Sequence, residues 1–153
     1  MPVEIERKFL VISDAWKAAA KAGRRFCQGH ISRDGERTVR VRRAADKAYL
    51  TIKGEREGLV RPEFEYEIPV DDAEEMLATL CEGPLLLKMR YEVEHDGMIW
   101  EVDVFLSPAQ GLVIAEIELD RPDELVTLPA WVGEEVTGDD RYRSAVIAVS
   151  GAP

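Results

Sequence analysis

Charged and apolar residues alternate along the first stretch of the chain, residues 3–11. One parity is mostly apolar, and the other carries Glu4, Glu6 and Lys8. Because alternate side chains of a β-strand project to the same face, this pattern predicts a strand with one charged face. Two carboxylates beside an ammonium group can hold a divalent metal and its bound anion, whereas a solvated strand face needs no ligand. For this strand alone, the solvated face is the favoured interpretation.

The same alternation returns in segments along the chain. The predicted strands are Phe26–Ser32, Glu36–Arg43, Ala48–Lys53, Arg61–Ile68, Leu86–Glu94, Met98–Phe105 and Leu112–Asp120. Asp34-Gly35 and Asp96-Gly97 predict hairpin turns between successive strands. About eight antiparallel strands favour a closed or nearly closed barrel, since closure removes exposed strand edges.

Four further segments carry helical signals, and they are Asp14–Ala22, Asp71–Cys81, Pro122–Leu128 and Arg141–Val149. Ser13 can cap the first helix and Gly23 can end it, while Asp71 can cap the second. Residues 131–133 read as a loop. The predicted fold class is therefore mostly β with some α (α+β), an eight-stranded antiparallel barrel with a few outer helices.

Composition predicts a single globular domain over residues 1–153, since 46% of the residues are hydrophobic and 33% are charged. A net charge of -10 argues against nucleic acid or an anionic membrane as a partner, because both require a basic surface. A small polyanion stays compatible if the fold gathers cations locally. No secretory signal or membrane-spanning run is recognised, and Cys27 and Cys81 form no CxxC pair, so we expect a reduced, cytoplasmic protein.

The charged strand faces can lie on either side of a barrel wall. If they face water, the apolar faces fill the interior. If they face inward, they line a polar tunnel, and the helices cover the apolar outer faces. Burying many charges requires internal pairing and bound ions, which water, metal and a polyphosphate would supply. Periodicity alone leaves both arrangements open.

The residue types on these faces favour the tunnel. The cations are Lys8, Arg40, Arg42, Lys53, Lys88 and Arg90, and the carboxylates include Glu4, Glu6, Glu63, Glu65, Asp103, Glu116 and Glu118. Arginine forms forked contacts with phosphate, and carboxylate oxygens are ligands that Mg²⁺ and Mn²⁺ prefer. These strands carry Glu in place of Cys or His, which argues against zinc. Because neither GxxxxGK[ST] nor GxGxxG occurs, side chains would have to bind any phosphate.

Short motifs follow one another in a fixed order along nearly the whole chain. They are Glu4-Ile5-Glu6-Arg7-Lys8, Gln28-Gly29, Arg40-Val41-Arg42, Thr51-Ile52-Lys53-Gly54, Arg61-Pro62-Glu63-Phe64-Glu65, Lys88-Met89-Arg90-Tyr91, Glu101-Val102-Asp103-Val104-Phe105, Glu116-Ile117-Glu118, and Gly133-Glu134-Glu135-Val136-Thr137 with Arg141-Tyr142. The first motif matches the ExExK signature of the CYTH superfamily, the triphosphate tunnel metalloenzymes. The ordered set resembles the short bacterial members of that superfamily, of the inorganic triphosphatase type.

The resemblance implies an eight-stranded tunnel that hydrolyses or cyclises a triphosphate with Mg²⁺ or Mn²⁺. By motif, the expected metal ligands are Glu4, Glu6, Glu116, Glu118 and Asp103. The expected phosphate ligands are Lys8, Arg40, Arg42, Lys53, Lys88 and Arg90. The expected catalytic residues are Lys8 and Arg40, together with Glu63 and Glu65, which would bind a second metal or position water.

Two positions depart from the family's pattern. The residue after Gln28-Gly29 is usually Tyr in close relatives and is His30 here. The ending Arg-Tyr-Lys-Asn is Arg141-Tyr142-Arg143-Ser144. Either departure can alter turnover or substrate choice, although a single histidine is more often structural than catalytic.

The resulting hypothesis is a metal-dependent triphosphatase that acts on inorganic tripolyphosphate or a similar small triphosphate. Alternatives within the same fold are a class IV-type adenylyl cyclase, which needs an adenine pocket, and a thiamine triphosphatase, which needs a site for the thiazolium end. A non-catalytic sensor of polyphosphate or nucleotide and a plain barrel with solvated charges are the non-enzymatic alternatives. The expected partner is a small triphosphate, and a homodimer stays open.

Overall fold

The computed structural model describes residues 2–153 and contains an antiparallel sheet that closes into a barrel. The barrel strands are β1 (Val3–Val11), β2 (Arg24–Asp34), β3 (Arg37–Ala44), β4 (Lys47–Lys53), β5 (Val60–Ile68), β6 (Glu82–His95), β7 (Met98–Ser107) and β8 (Val113–Glu118). They pair in the order β5-β4-β3-β2-β6-β7-β8-β1, and the first residues of β1 pair back to β5. The predicted eight-stranded barrel of mostly β structure with some α is confirmed.

A ninth strand, β9 (Val132–Glu135), corrects the prediction of a loop at residues 131–133. It pairs with β1 at Phe9 and Val11, beyond the first residues of β1, which pair with β5. This strand is only four residues long and holds a single apolar residue. The sequence therefore gives no alternation that would reveal it.

Two α-helices flank the barrel, α1 (Val70–Thr79) and α2 (Ser144–Ser150). They correspond to the predicted helices Asp71–Cys81 and Arg141–Val149. Pro69, and not Asp71, occupies the position that precedes α1, and α2 begins only after a 3₁₀ turn at residues 140–142. No helix in residues 2–153 is both long enough and apolar enough to span a bilayer.

The other two predicted helices are wrong. In place of the helix Asp14–Ala22 there is a 3₁₀ turn, which ends where Ala20 becomes extended and bridges to Val93 of β6. Pairing with the sheet thus overrides the helical propensity of the alanines. Pro122–Leu128 forms no helix, and its Leu125 is 93% exposed. A short helix gains most of its stability from packing an apolar face, which this segment lacks.

Most outward apolar side chains of the strands are covered, although Ile52 and Tyr66 are exposed, and this resolves the sidedness that periodicity left open. The largest cluster includes Phe9, Trp16, Trp100 and Trp131, and a second cluster under α1 includes Val41, Ala48, Ala73 and Leu77. Trp16 lies in the core. Because the outer faces hold these apolar side chains, the opposite, charged faces surround the lumen of the barrel.

Helix α2 covers part of one end of the lumen. Leu86, Phe105 and Ile114 have the same strand parity as the lumen residues of their strands, and they pack against Ile147 and Ala148 of α2. This apolar contact excludes water from that side of the barrel end. The remaining space in the lumen is lined almost entirely by polar and charged side chains.

Replacing Trp100 with alanine is expected to destabilise the fold strongly. Trp100 is fully buried, and its ring centroid lies 5.5 Å from that of Phe9 and 5.7 Å from that of Trp131. Truncation of a buried tryptophan costs about 3–5 kcal/mol of unfolding free energy. Its neighbour Ile99 is 44% exposed, so Ile99→Ala should cost less than about 1 kcal/mol. Urea denaturation measures both, and equal losses would contradict this placement of the core.

Candidate active site

A cavity of about 230 Å³ occupies the lumen, and all eight barrel strands contribute side chains to it. Its cationic lining residues are Lys8, Arg40, Arg42, Lys53, Arg56, Arg61, Lys88, Arg90 and Arg143. Its acidic lining residues are Glu6, Glu63, Glu65, Glu101, Glu116 and Glu118. The cations outnumber the carboxylates in this lining although the chain as a whole has a net charge of -10. The lumen is therefore the local cationic site that a polyanion requires.

Strand register brings the predicted site residues together. Lys8 lies opposite Glu116 across β1 and β8, and Arg90 lies opposite Asp103 across β6 and β7. Directly opposed residues of antiparallel strands have Cβ atoms about 4.5–5.5 Å apart, close enough for ion pairs. All predicted site residues line the cavity except Glu4 and Asp103, which are buried and bind lining cations.

Asp103 fixes two of the lumen cations. Lys88 Nζ donates to Asp103 Oδ2 at 2.7 Å, and Arg90 donates to both carboxylate oxygens at 2.7 and 2.8 Å. Burial acts to raise the pKa of Asp103, but the charges of Arg90 and Lys88 hold it well below its ordinary value. The ring of Phe26 lies 5.0 Å from the Arg90 guanidinium and supports it from another side. Both cations are thus positioned without a ligand.

Lys53 connects two carboxylates that share a hydrogen bond. Its Nζ lies 2.7 Å from Glu4 and 3.4 Å from Glu63. Burial acts to raise the pKa of Glu4, but Lys53 and the hydrogen bond with Glu63 lower it to about 2. Burial and that same hydrogen bond raise the pKa of Glu63 to about 7. Near neutral pH, Glu4 is therefore ionised while Glu63 is poised to gain or lose its proton.

The neighbouring carboxylates repel one another. Burial raises the pKa of Glu6 well above its ordinary value, and the charges of Glu116 and Glu4 raise it further. Burial and Glu4 likewise raise the pKa of Glu118. Crowded carboxylates of this kind are unfavourable until a proton or another cation joins them.

The donor chemistry of these carboxylates fits a divalent metal. Glu4 Oε1 is buried and has no hydrogen-bond partner within residues 2–153. A buried oxygen without a partner is unfavourable, and Mg²⁺ and Mn²⁺ take oxygen donors of this kind. In the described part of the chain, no three Asp, Glu, His or Cys side chains already converge on one metal position. Mg²⁺ usually binds through one or two carboxylates together with waters and substrate phosphates, so a set of three is not needed.

Several lining residues are absent from the predicted set, namely His30, Thr38, Arg56, Arg61, Glu101, Arg143 and Ser144. Thr38, Arg61 and Glu101 have the same parity as predicted neighbours on their strands, so the alternation was a signal that could have identified them. Arg56 and Arg143 lie outside the barrel strands. At these two positions, alternation gives no signal.

His30 faces the lumen as a neutral imidazole. Burial, followed by the charges of Arg40 and Arg33, lowers the pKa of His30 to about 3. At neutral pH its ring therefore offers one hydrogen-bond donor and one acceptor. It is a polar group in the cavity and lies among cations, away from the apolar clusters.

Comparison with known proteins places this architecture in a family. The sequence model of the CYTH domain matches residues 2–143. The inorganic triphosphatase of Acetivibrio thermocellus is 51% identical over 142 residues, which cover 93% of this chain and 90% of that protein. The inorganic triphosphatase of Nitrosomonas europaea is 35% identical over 153 residues, which cover 96% of this chain and 97% of that protein.

Solved structures agree with the sequence matches. The crystal structure of the inorganic triphosphatase NE1496 has a TM-score of 0.68 and 30% identity, with 100% of this chain and 99% of that chain covered. HpAC1 from Hippeastrum shares the fold at a TM-score of 0.59 and 16% identity, with 80% of this chain and 81% of that chain covered. The resemblance inferred from the ordered motifs is confirmed, and the chain belongs to the CYTH domain family.

Proposed function

We propose that this protein is a divalent-metal-dependent triphosphatase that hydrolyses inorganic tripolyphosphate in the lumen. The observation that carries the proposal is the presence of surplus cations and crowded carboxylates in one cavity. A site that only binds anions has no use for repelling carboxylates, whereas a metal-dependent phosphohydrolase uses both groups. The two curated relatives named inorganic triphosphatase match nearly the whole chain and support the same reaction class.

The cations bind the phosphate chain in this proposal. The phosphate ligands are Lys8, Arg40, Arg42, Lys53, Lys88 and Arg90. Positive groups that are already fixed in a cavity stabilise the charge that develops on the transferring phosphoryl group. Asp103 fixes Lys88 and Arg90 in advance, so these two cations need little reorganisation during the reaction.

The carboxylates Glu4, Glu6, Glu116 and Glu118 are the proposed ligands of Mg²⁺ or Mn²⁺. When bound, such a metal polarises phosphoryl oxygens and reduces the repulsion between the substrate and an attacking water. The family motif predicts Asp103 as a further ligand, but both of its oxygens already accept hydrogen bonds from Lys88 or Arg90. We propose that Asp103 acts by positioning these two cations.

Glu63 and Glu65 are the proposed residues that position water and accept its proton. Burial and Glu4 raise the pKa of Glu63 to about 7, which suits a general base at neutral pH. Glu65 accepts a hydrogen bond from Thr51 Oγ1 at 2.8 Å and lies 3.7 Å from Arg40. Water attack on the terminal phosphorus forms one P–O bond and breaks the bridging P–O bond, with the proton of water passing to Glu63. Phosphate and pyrophosphate are the products.

The alternative activities lack a specific feature in the lumen. Adenine and thiazolium rings commonly stack on aromatic side chains. Within residues 2–153, no Phe, Tyr or Trp lines the cavity. The lumen therefore adds no support for a cyclase or a thiamine triphosphatase. A non-catalytic sensor would bind a triphosphate without hydrolysing it, so a turnover assay distinguishes it from the proposed enzyme. The homodimer, the cytoplasmic location and the exclusion of nucleic acid and membrane stay predictions.

Lys8→Ala and Arg40→Ala are each expected to lower phosphate release from tripolyphosphate at least about 100-fold, because each removes a positive group from the phosphate-binding set. Phosphate release from tripolyphosphate, ATP and thiamine triphosphate is measured side by side, with Mg²⁺, with Mn²⁺ and with a chelator. The chelator should abolish release. Arg121→Gln is the matched control, because Arg121 is 70% exposed and pairs with Asp123 outside the lumen. Wild-type rates in either lumen variant, or no release by the wild-type protein from any triphosphate, would refute the assignment.

In the presence of a chelator, the contribution of Glu63 to the unfolding free energy is expected to fall as the pH rises from about 5 to about 8. The pKa of Glu63 is about 7 in the folded protein and 4.5 for the free group, so in this interval the folded state holds a proton that the unfolded state has released. The fall should be about 1–2 kcal/mol, since partial exposure of the side chain screens the effect. Denaturation is measured at both pH values. The fall is read as the difference between the wild-type protein and Glu63→Gln at each pH, because His30, whose pKa burial lowers to about 3, contributes in the opposite direction to both proteins.

Divalent metal should offset this fall, because metal and proton compete for the same carboxylates and the metal binds best when they are deprotonated. The stabilisation by Mg²⁺ should therefore be larger at about pH 8 than at about pH 6. Glu67→Gln, an exposed position on the same strand, should keep the wild-type slope. A wild-type slope that survives Glu63→Gln unchanged would show that another group is responsible.

A further inference from the structure

Three arginines outside the predicted phosphate ligands gather at one end of the lumen. Arg56 lies in the loop between β4 and β5, Arg61 lies near the start of β5, and Arg143 lies directly before α2. All three line the cavity. Burial lowers the pKa of Arg61, the carboxylates of Glu4 and Glu36 act to raise it, and the charges of Arg56 and Arg143 act to lower it. We call these three residues the arginine cluster.

Most contacts of the arginine cluster leave its charge uncompensated. Arg61 donates to the backbone carbonyls of Gly54, at 2.8 Å, and Glu36. Arg143 donates to the carbonyl of Gly35 at 3.2 Å. Its one carboxylate neighbour, Asp140, lies 3.6 Å away and is 75% exposed, so that pair contributes little. Carbonyl groups orient a guanidinium but do not neutralise it.

Arg56 has the least satisfied side chain of the cluster. Its Nη1 atom is buried and has no hydrogen-bond partner within residues 2–153. Only its backbone N–H is held, by a hydrogen bond to the Glu36 carboxylate. By contrast, Lys8, Lys53 and Lys88 each lie within 4.0 Å of a carboxylate. Within residues 2–153, Arg56 therefore lines the lumen without an ion pair to a carboxylate, as Arg42 also does, and its guanidinium is available to an anion.

The opposite end of the lumen is acidic. One end of the lumen holds the hairpin turn between β2 and β3 and the start of β6, where His30 pairs with Glu82. The other end holds the turn of residues 96 and 97, which follows the end of β6. The contacts of Arg56 and Arg143 with residues 35 and 36 place the arginine cluster at the first of these ends. A depression near the second end is lined by Glu92, Glu101, Glu118, Asp120 and Glu124. The acidic depression disfavours an anion at the second end, while Glu36, Asp139 and Asp140 lie beside Arg56 and Arg143 at the first end.

Free and esterified phosphates differ in the charge that they would bring to this end. When one terminal phosphate of tripolyphosphate is attacked, the far end is another free terminal phosphate, with three non-bridging oxygens and up to two negative charges. When the γ-phosphate of a nucleoside triphosphate is attacked, the far end is an ester phosphate with one charge and a nucleoside. Forked guanidinium groups gain more from the first.

Two side-chain hydrogen bonds cross between the segments at this end of the lumen. Arg143 donates to the Gly35 carbonyl, and Arg33 donates to the Ala145 carbonyl at 3.0 Å. These two hydrogen bonds tie the segment before and within α2 to the β2–β3 hairpin. A nucleoside can pass between these two segments only if both hydrogen bonds are broken.

We propose that the arginine cluster binds the far terminal phosphate of the substrate and thereby selects inorganic tripolyphosphate over nucleoside triphosphates. The proposal rests on the proposed triphosphatase function. Arg61 is buried and bound to two carbonyls, so its replacement would also disturb the β5 end. Arg56 and Arg143 are the members whose side chains adapt to the ligand.

The test compares tripolyphosphate with ATP in Arg56→Gln, Arg143→Gln and the double variant, with Mg²⁺ present. Each single substitution should lower kcat/KM for tripolyphosphate about 10-fold or more, the loss expected for one charge-assisted contact, and mainly through KM. The value for ATP should change less than about 3-fold. Arg143→Lys should recover part of the loss because it restores the charge without the fork. Arg121→Gln is the matched control and should change neither substrate.

Three results would overturn the proposal. They are equal losses for both substrates, no loss for either substrate, and a wild-type protein without preference for tripolyphosphate. Thermal melting of each variant separates these results from unfolding. If the wild-type protein turns over no triphosphate, the proposed function fails, and calorimetric binding of tripolyphosphate and ATP in a chelator then decides the proposal. Weaker binding of tripolyphosphate with unchanged binding of ATP in the two variants would support the proposed role of the arginine cluster. Unchanged binding of both ligands, or equal weakening of both, would refute that role.

Discussion

Charged side chains can face the inside of this barrel because strand register sets opposite charges against each other. The clearest case is Asp103, whose two oxygens accept hydrogen bonds from Lys88 and Arg90 in a fully buried position. Removing one partner from a buried pair of this kind leaves an uncompensated charge, which costs about 3–5 kcal/mol. The apolar clusters outside the barrel stabilise the fold, but the polar lumen depends on pairing of this kind.

The pairing is incomplete, and the unpaired groups are those that a substrate and a metal can use. Carboxylates accumulate around Glu4 and Glu6. Burial and the charges of neighbouring carboxylates raise the pKa of Glu6, and the ion pair with Lys53 lowers the pKa of Glu4 against the effect of burial. Positive charge accumulates around Arg56 and Arg143, where carbonyl groups are the main partners or partners are missing. A divalent cation relieves the first excess and a phosphate relieves the second. Ligand binding therefore completes an electrostatic arrangement that the polypeptide alone leaves unfinished.

The barrel strands and most of the candidate site could be predicted from the sequence, because a strand has a side-chain period of two and the lumen residues follow it. The same period explains why Lys8, Arg40 and Glu116 were found together. Periodicity could not decide which face lies inside, since both arrangements give the same alternation, and the ordered motifs were needed for that choice. It also failed where no alternation exists, at β9, at the loop residue Arg56 and at Arg143.

Helix prediction failed for a different reason. The alanines of residues 15–22 have high helical propensity, yet Ala20 gains more by pairing with Val93 at the sheet. Residues 122–128 contain apolar side chains, yet Leu125 finds nothing to pack against. In both segments, tertiary contacts that the local sequence does not encode decided the outcome.

The departures of this chain from the family's pattern lie at one end of the lumen, and the carboxylate wall follows the pattern. His30 pairs with Arg40 in the ladder of β2 and β3 and is held neutral by burial and by the surrounding cations. Arg143 enters the same cavity from the segment before α2. Under the proposed function, changes at this end alter how the substrate is bound, while the groups proposed to hold the metal and activate water stay in place. Arg61 lies opposite Glu4 in the ladder of β1 and β5 and two residues before Glu63, so recognition and reaction would adjoin each other in one lumen.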